Sequence, residues 1–213
     1  MLELAGRISA CKICVERPLN TTLPHPPRPV AVLSNSARIA ICGQAPGIRV
    51  HNSGRPFTDP SGDRLRVWMG VDDEVFYDAS RVAIVPMGFC FPGYDKKGGD
   101  LPPRRECKAA WHDQVFAAMP QLKLVLAVGG YAQSYHLPAR QNEAGRPRNL
   151  TETVAAWQEH LVPRNDRPCP GAAVFAMPHP SWRNNAWLKR NSWFEADVLP
   201  ELRKRVSECL RSE

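Results

Sequence analysis

The chain has 213 residues, 43% of them hydrophobic, and carries a formal net charge of +7. This length suits one domain spanning residues 1–213, which we expect to be a monomer. No apolar run reaches the roughly 18 residues of a membrane helix, and the first residues lack the apolar core of a secretory signal. We therefore expect a cytoplasmic protein without a membrane partner. The basic charge favours a polyanion such as nucleic acid, although many basic proteins bind none.

Four short apolar runs predict buried β-strands because none of them alternates with polar residues. They are Ile39–Cys42, Val82–Val85, Leu122–Val128 and Ala172–Met177. Helical patterns lie between and after them, namely Gly62–Met69, Cys107–Met119, Leu150–Leu161 and Trp193–Leu210. Strands that alternate with helices predict an α/β fold with three α/β/α layers and a central, mostly parallel four-stranded sheet.

Polar and proline-rich residues mark the ends of these elements. Asn149 is the expected N-cap of one helix, and Pro200 predicts a kink or a break in the last helix. Pro18–Pro29 contains five prolines and is predicted to be an extended tether, and the polar stretch Arg140–Asn149 is predicted to be a loop.

Glycine, proline and polar residues follow each predicted strand. The four segments read GQAPG, PMGFC, GGYAQ and PHPSWRNN in chain order. Ligands of parallel α/β sheets bind at the carboxyl ends of the strands. We therefore expect the four segments to meet at one edge of the sheet and to form a site there.

Seven cysteines in a cytoplasmic chain argue against a disulfide framework. Cys11 and Cys14 form a C-x-x-C pair, whereas Cys90 and Cys107 occur singly with sixteen residues between them. A structural zinc site usually offers two tight pairs, so this open pattern favours an iron–sulfur cluster. Unrelated buried thiols with an incidental C-x-x-C remain the alternative. The remaining cysteines, Cys42, Cys169 and Cys209, are interpreted as small apolar residues.

Three motifs occur in a characteristic order along the chain. Gly43–Gly47 reads GQAPG, Gly54–Phe57 reads GRPF, and His179–Ser181 reads HPS, while the cysteines follow C-x-x-C, C and C. Together they resemble the uracil-DNA glycosylase superfamily, and most of all its iron–sulfur families 4 and 5, as a divergent subclass. The resemblance implies a 4Fe-4S cluster on Cys11, Cys14, Cys90 and Cys107. It also implies excision of uracil from single- or double-stranded DNA in base excision repair.

The resemblance assigns roles to residues of the first and last motifs. His179 is expected to donate a hydrogen bond to uracil O2 as the base becomes anionic. Phe57 is expected to stack on the flipped base, beside the backbone of Gly43 and Ala45. Gln44 stands where family 4 has glutamate, and an amide cannot take a proton at neutral pH.

Asp59 is therefore the candidate for the group that polarises the attacking water, since family 5 places an aspartate shortly after its G-R-x-F. The alternative is that Asp59 only caps the helix that follows it. His51, in the same segment, is expected to contact the water or a phosphate, or else to be a solvated loop residue.

One feature departs from the pattern of families 4 and 5. They carry an asparagine just before the third cluster cysteine, which reads the edge of uracil, but this chain has VPMGFC there. Base reading would then depend on the backbone at Met87 and Gly88, or on Gln44. Strict specificity for uracil is accordingly in doubt, and hypoxanthine and xanthine are open as substrates.

The segment WRNNAW after the HPS motif is expected to meet DNA. Arg183 is the candidate wedge in the minor groove. The other predicted DNA contacts are Asn184, Asn185, Lys189, Arg190 and Arg104. Trp182 or Trp187 is expected to pack into the core rather than to contact DNA.

Two other function classes stay open. The chain could be a protein that binds damaged or abasic DNA with little or no turnover, because it lacks both the asparagine and the acidic residue of the first motif. A nucleotide-binding enzyme is the third possibility, but the chain contains neither G-x-x-x-x-G-K-[ST] nor G-x-G-x-x-G.

Overall fold

The computed structural model describes residues 1–137, 141–142, 145–163 and 168–211. Its centre is a four-stranded sheet, made of β1 (Ile39–Cys42), β2 (Val82–Ile84), β3 (Leu124–Val128) and β4 (Ala173–Met177). The strands are ordered β2-β1-β3-β4 and all pair in parallel. The predicted α/β class and the parallel sheet are confirmed, and each strand lies within one to two residues of its predicted bounds.

The two faces of the sheet differ in side-chain size. One face carries small residues, among them Ala40, Cys42, Ala83, Ala127 and Ala176. The other face carries larger ones, among them Ile39, Ile41, Leu126, Phe175 and Met177. Both faces are covered by further buried side chains, so the sheet is the middle of three layers. Burial on both sides explains why the strands show no polar alternation.

The helices before β3 are α1 (Leu2–Ser9), α2 (Ile13–Glu16), α3 (Ile48–Ser53), α4 (Pro60–Met69), α5 (Asp73–Tyr77), α6 (Arg105–Cys107) and α7 (Asp113–Ala117). Those after β3 are α8 (Gly130–His136), α9 (Leu150–Ala155), α10 (Trp157–His160), α11 (Asn185–Arg190) and α12 (Leu199–Arg211). None of these described helices is both long and apolar enough to cross a bilayer.

Three predicted helices are present with interruptions. A π-helical turn, Lys108–His112, connects α6 to α7 within the predicted 107–119 helix. The 150–161 helix divides at Ala156, and Asn149 caps it in a full capping box with Glu152. A second π-helical turn, Phe194–Val198, precedes α12. Pro200 directly follows this change of helix type, so the predicted interruption is a π-helical turn in a continuous helix rather than a break.

The structure describes one of the two predicted loops completely. Residues 18–29 contain neither helix nor strand, as their prolines predict. The predicted loop at 140–149 lies partly outside the described residues. Short helices such as α3, α5 and α8 were not predicted, because five to seven residues give too little periodicity to recognise.

Candidate functional site

The carboxyl ends of β1, β2 and β4 lead into one small cavity of about 140 Å³. This volume, the inner cavity, far exceeds the roughly 15 Å³ that one water requires and has room for a heterocyclic ring. Its polar lining consists of Gln44, Asp59, Ser61, Asp100 and His179, and its apolar lining includes Val30, Phe57, Ile84 and Pro86. The segments after these three strands therefore converge as their positions in a parallel sheet predict.

A larger depression of about 770 Å³, the outer groove, opens beside the inner cavity. Both spaces share the five polar residues just named. The outer groove adds three guanidinium groups, from Arg49, Arg64 and Arg183. A pocket for a ring, with the carboxylates of Asp59 and Asp100 in its lining, thus opens into a wider space whose cations suit a phosphate backbone.

His179, directly after β4, is held by two hydrogen bonds from its own loop. The Ser181 backbone N–H donates to Nδ1 at 3.2 Å, and the Asn184 amide donates to the His179 carbonyl at 2.7 Å. Because Nδ1 accepts, the neutral ring carries its proton on Nε2. Burial lowers the pKa of His179, and Asp59 and Asp100 oppose only part of that effect. At neutral pH the ring is an uncharged hydrogen-bond donor.

Phe57 has a left-handed backbone, with φ of +56°, and no other non-glycine residue in the described part of the chain shares a positive φ. The Tyr77 hydroxyl donates to the carbonyl oxygens of Pro56 and Phe57 at 3.1 and 3.0 Å, and Arg66 Nη1 donates to the latter at 3.3 Å. The ring of Phe57 meets the ring of Phe76 edge-on, with centroids 5.9 Å apart. Such strain persists only where the surroundings over-determine it, so this ring is held in a fixed orientation.

Gly62 makes room for Phe57, because a Cβ at this position would collide with the carbonyl group of Phe57. A Cβ on Gly43 would only come into ordinary contact with the end of the ring, at 4.0 Å. The start of α4 is therefore shaped around the backbone of Phe57.

Asp59 is the N-cap of α4, and its Oδ1 accepts the Gly62 N–H at 3.2 Å. Pro60 occupies the first helical position, where no N–H is needed. The capping alternative is thus realised. The same carboxylate also lines both the inner cavity and the outer groove, so capping does not remove it from the site.

The predicted base-reading groups are placed differently from one another. Gln44 lines both spaces, and its amide donates to the Leu101 carbonyl at 3.3 Å. The backbone N–H groups of Met87 and Gly88 donate to the carbonyls of Gly43 and Gln44, both at 2.9 Å. Those N–H groups tie two strand ends together, and Pro86 is the residue of this segment that lines the inner cavity.

His51 lies in a cluster of rings away from the inner cavity. Its ring centroid is 4.4 Å from that of His25 and 6.1 Å from that of Phe91. Burial, helped by the charges of His25 and Arg28, lowers the pKa of His51. Its surroundings are thus those of a packed ring against the N-terminal tether.

The loop after His179 presents an aromatic side chain to solvent. Trp182 is 73% exposed at the rim of the outer groove, with the Arg183 guanidinium 6.0 Å from its ring. Trp182 is therefore not the tryptophan of this segment that packs into the core. Trp187 is half-buried, donates to Thr151 at 2.8 Å and packs against Trp193, as expected for a core residue.

The remaining predicted DNA contacts fall into two groups. Asn185 accepts a hydrogen bond from Arg64 at 2.8 Å, and Lys189 and Arg190 are exposed on α11. Arg104 instead points into the protein, where its Nη2 bonds Thr21 O and Glu106 Oε1, both at 2.6 Å. Its side chain is only 11% exposed, so it is poorly placed to meet a phosphate.

Three of the four predicted metal ligands are buried next to one another. The thiols of Cys14 and Cys107 are hydrogen-bonded, and Cys14 and Cys90 pack around Leu23. The hydrogen bond from Cys107 lowers the pKa of Cys14 to about 7, and the same bond together with burial raises that of Cys107 well above its ordinary value. Burial raises the pKa of Cys90 to about 12.

The sulfur atoms also accept hydrogen bonds from nitrogen. The Trp111 indole N–H donates to Cys11 Sγ at 3.4 Å, and the Phe89 backbone N–H donates to Cys107 Sγ at 3.3 Å. Donors of this kind stabilise thiolates, which are the metal-binding form. As they stand, however, no three or more His, Cys, Asp or Glu side chains of the described residues are arranged to hold a metal ion.

Four site residues escaped prediction: Arg49, Ser61, Arg64 and Asp100. Asp100 stands in a polar stretch between Cys90 and Cys107 that contains no recognisable motif. Its carboxylate reaches the site because the loop folds back over the GQAPG turn, where its Oδ2 lies 3.8 Å from the position of a Cβ on Gly47. Only the three-dimensional structure brings this residue to the strand ends.

The comparison with known families agrees with the motifs and with the geometry of the strand ends. The model of the Uracil DNA glycosylase superfamily matches residues 31–203, a range that includes GQAPG, GRPF, HPS and all four strands. It covers most of the chain, and this protein therefore belongs to the Uracil DNA glycosylase superfamily.

Proposed function

We propose that this protein is a DNA glycosylase of the iron–sulfur type, related to families 4 and 5, which hydrolyses the N-glycosidic bond of uracil in DNA. Members of its superfamily are mostly N-glycosyl hydrolases. The observation that carries the proposal is the orientation of His179. Its Nε2–H is a neutral donor beside a cavity with room for one ring, because Ser181 occupies its other nitrogen.

The chemistry explains why such a donor matters. As the bond from C1′ to the base breaks, its electron pair moves onto the base, and uracil O2 gains negative charge. A preorganised hydrogen bond to that oxygen is worth about 3 kcal/mol in comparable sites. The lowered pKa of His179 keeps the ring neutral, so its Nε2–H is a donor without a net charge.

A base enters the inner cavity only after it has left the DNA stack. The ring of Phe57 provides a flat surface for it, and stacking of this kind is worth about 1–3 kcal/mol. Stacking does not distinguish one base from another. With Pro86 on the wall and Met87 and Gly88 occupied by backbone hydrogen bonds, the edge of the base is read mainly by Gln44.

Asp59 supplies negative charge where the inner cavity meets the outer groove. A flipped nucleotide with its base inside would place the sugar at this junction. The carboxylate there stabilises the positive charge that develops on the sugar and helps to hold water. Its Oδ1 accepts the Gly62 N–H at the start of α4, and this hydrogen bond fixes the carboxylate at the junction.

The outer groove is the proposed DNA surface. Arg49, Arg64 and Arg183 would contact phosphates, and Lys189 and Arg190 would extend the basic surface along α11. Exposed Trp182 stands at the rim, where it can stack on a base or fill the space left by the flipped nucleotide.

Cys11, Cys14, Cys90 and Cys107 would hold the 4Fe-4S cluster. The donor set fits, because four thiols lie among N–H donors and the charge of Arg104 acts on Cys14. When bound, the cluster would tie the N-terminal helices to the loop after β2. The residues of the inner cavity carry the hydrolysis itself.

The test is strand cleavage at a single modified site in an end-labelled oligonucleotide, followed by alkali. Oligonucleotides with uracil, hypoxanthine, xanthine or thymine would be compared in single- and double-stranded form. We expect cleavage at uracil. Cleavage only at another deaminated base would make that base the substrate instead of uracil. Tight binding to an abasic site without any cleavage would establish the binding-protein alternative.

A further inference from the structure

We propose that Asp100 is a catalytic carboxylate of this site, which holds the attacking water and takes its proton. The inference rests on the proposed glycosylase function and assigns a residue to one step of that reaction. It also explains how hydrolysis proceeds when the first motif has Gln44 where family 4 has a glutamate.

The position of Asp100 is the first argument. It lines both the inner cavity and the outer groove, as Asp59, Ser61 and His179 do. The scissile bond of a flipped nucleotide must cross from one space to the other, so side chains at this junction face the reacting carbon. The Asp100 carboxylate interacts electrostatically with His179, the proposed donor to the leaving base.

The loop around Asp100 is held by hydrogen bonds although Asp100 itself is exposed. Tyr94 and Asp100 form an antiparallel bridge, and Leu101 N donates to Gly93 O at 2.9 Å. The Gln44 amide bonds the carbonyl of Leu101, directly beside Asp100. Gln44, which stands where family 4 has glutamate, therefore fixes the backbone that carries the Asp100 carboxylate.

The carboxylate oxygens of Asp100 are available to accept hydrogen bonds from a water. In the part of the chain that the structure describes, the Asp100 carboxylate has no hydrogen bond or ion pair, whereas Oδ1 of Asp59 is used for capping. Although Asp100 is exposed as a residue, partial desolvation of its carboxylate raises its pKa, against the opposing charges of Arg183 and His179. A carboxylate that is more basic than usual and has free oxygens is the better proton acceptor of the two.

The step balances without any further reactant. The water oxygen bonds to C1′, the bond from C1′ to the base nitrogen breaks, and its electron pair leaves with the base. The water proton passes to Asp100. The base anion, held by the Nε2–H of His179, takes a proton from solvent on release, and Asp100 returns its proton to solvent.

The experiment compares single-turnover excision by the wild type, Asp100→Asn, Asp59→Asn and Asp197→Asn. Asp197 is an exposed carboxylate on the turn before α12 and serves as the matched control. We expect about 100-fold or greater loss for Asp100→Asn, a smaller loss for Asp59→Asn, and no change for the control. Affinity for DNA with a non-hydrolysable 2′-fluoro-deoxyuridine should be unchanged in Asp100→Asn.

A second variant separates chemistry from damage to the loop. Asp100→Ala with added formate should recover part of the lost rate, because formate can occupy the space of the carboxylate. An Asp100→Asn enzyme with the wild-type rate, or an Asp100→Ala enzyme that loses affinity for the fluorinated DNA and is not rescued, would overturn the role of Asp100. A wild type that excises no base would overturn the proposed function, and the inference with it.

Discussion

The strand-end site and the cysteine region are prepared for their ligands to different degrees. At the strand ends, internal hydrogen bonds already set the ring of His179 and the backbone of Phe57. In the cysteine region, Cys14 and Cys107 bond to each other instead, and their pKa values move in opposite directions as a result. Hydrogen bonds already orient the groups of the first region, whereas the thiols of the second region are not arranged around the proposed cluster.

This difference predicts where substitutions act. Changes at the cysteines should act mainly on folding, because a bound cluster would replace thiol–thiol contacts by metal bonds. Changes at the strand ends should act mainly on the reaction rate, since the hydrogen bonds there orient groups that a core does not need.

The largest expected effect is therefore the loss of a cysteine ligand. Cys107→Ser should abolish the brown chromophore of an iron–sulfur cluster and lower the free energy of unfolding by more than about 4 kcal/mol. Visible absorption and denaturant unfolding would measure both. Cys209→Ser, at a half-buried thiol on α12, is the control and should keep the chromophore. A colourless wild type with stoichiometric zinc would contradict the iron–sulfur assignment.

Gly62→Ala tests whether the site is fixed by its backbone. A Cβ there would clash with the Phe57 carbonyl, so the start of α4 must shift, at a cost of about 3 kcal/mol. We expect excision to slow by at least tenfold beyond any loss of folded protein. Gly6→Ala, in an open part of α1, should keep full activity and gain slight stability. Equal rates for the two variants would show that the strained turn does not position Phe57.

Two buried histidines outside the inner cavity, His112 and His136, should make the stability of the fold depend on pH. Burial lowers the pKa of His112 to about 4 and that of His136 to about 3, and both rings are almost fully buried. Below pH 6.5 the unfolded chain binds protons that the folded protein does not. Stability should thus fall by up to about 1.4 kcal/mol per pH unit for each histidine between pH 6.5 and 4. His136→Gln should flatten this decline in urea melts, and an unchanged slope would contradict it.

The smallest effect is expected on the exposed rim. Arg183→Ala should weaken DNA binding by about 1 kcal/mol. It should also reduce the slope of log K against log salt concentration by about one. Trp182→Ala should weaken binding by about 1–3 kcal/mol with little change in salt dependence, because stacking is not ionic. Fluorescence anisotropy at several salt concentrations measures both. Identical salt slopes for the two variants would place Arg183 away from the phosphates.

The sequence predicts the sheet well because each strand is a short, uninterrupted apolar run. It also predicts which loops meet, since parallel strands carry their carboxyl ends to the same edge. The motif residues Gln44, Phe57, Asp59 and His179 consequently line one cavity as expected.

What the sequence does not predict depends on contacts between distant segments. Asp100 belongs to a loop whose fold is set by a bridge to Tyr94 and by a hydrogen bond from Gln44 to the next residue. Arg104 was expected on the surface, but Glu106 and Thr21 draw its charge inward. A basic residue in a loop carries no local signal that distinguishes a phosphate contact from an internal ion pair.

The role of His179 is tested most directly by the single-turnover rate of uracil excision by the wild type and by His179→Ala, at saturating enzyme. We expect excision by the wild type and a loss of about 100-fold or more in the variant, because one preorganised donor to the leaving base is removed. His25→Ala, a histidine outside the inner cavity, should keep the wild-type rate. A His179→Ala enzyme that excises uracil as fast as the wild type would show that His179 does not stabilise the leaving base.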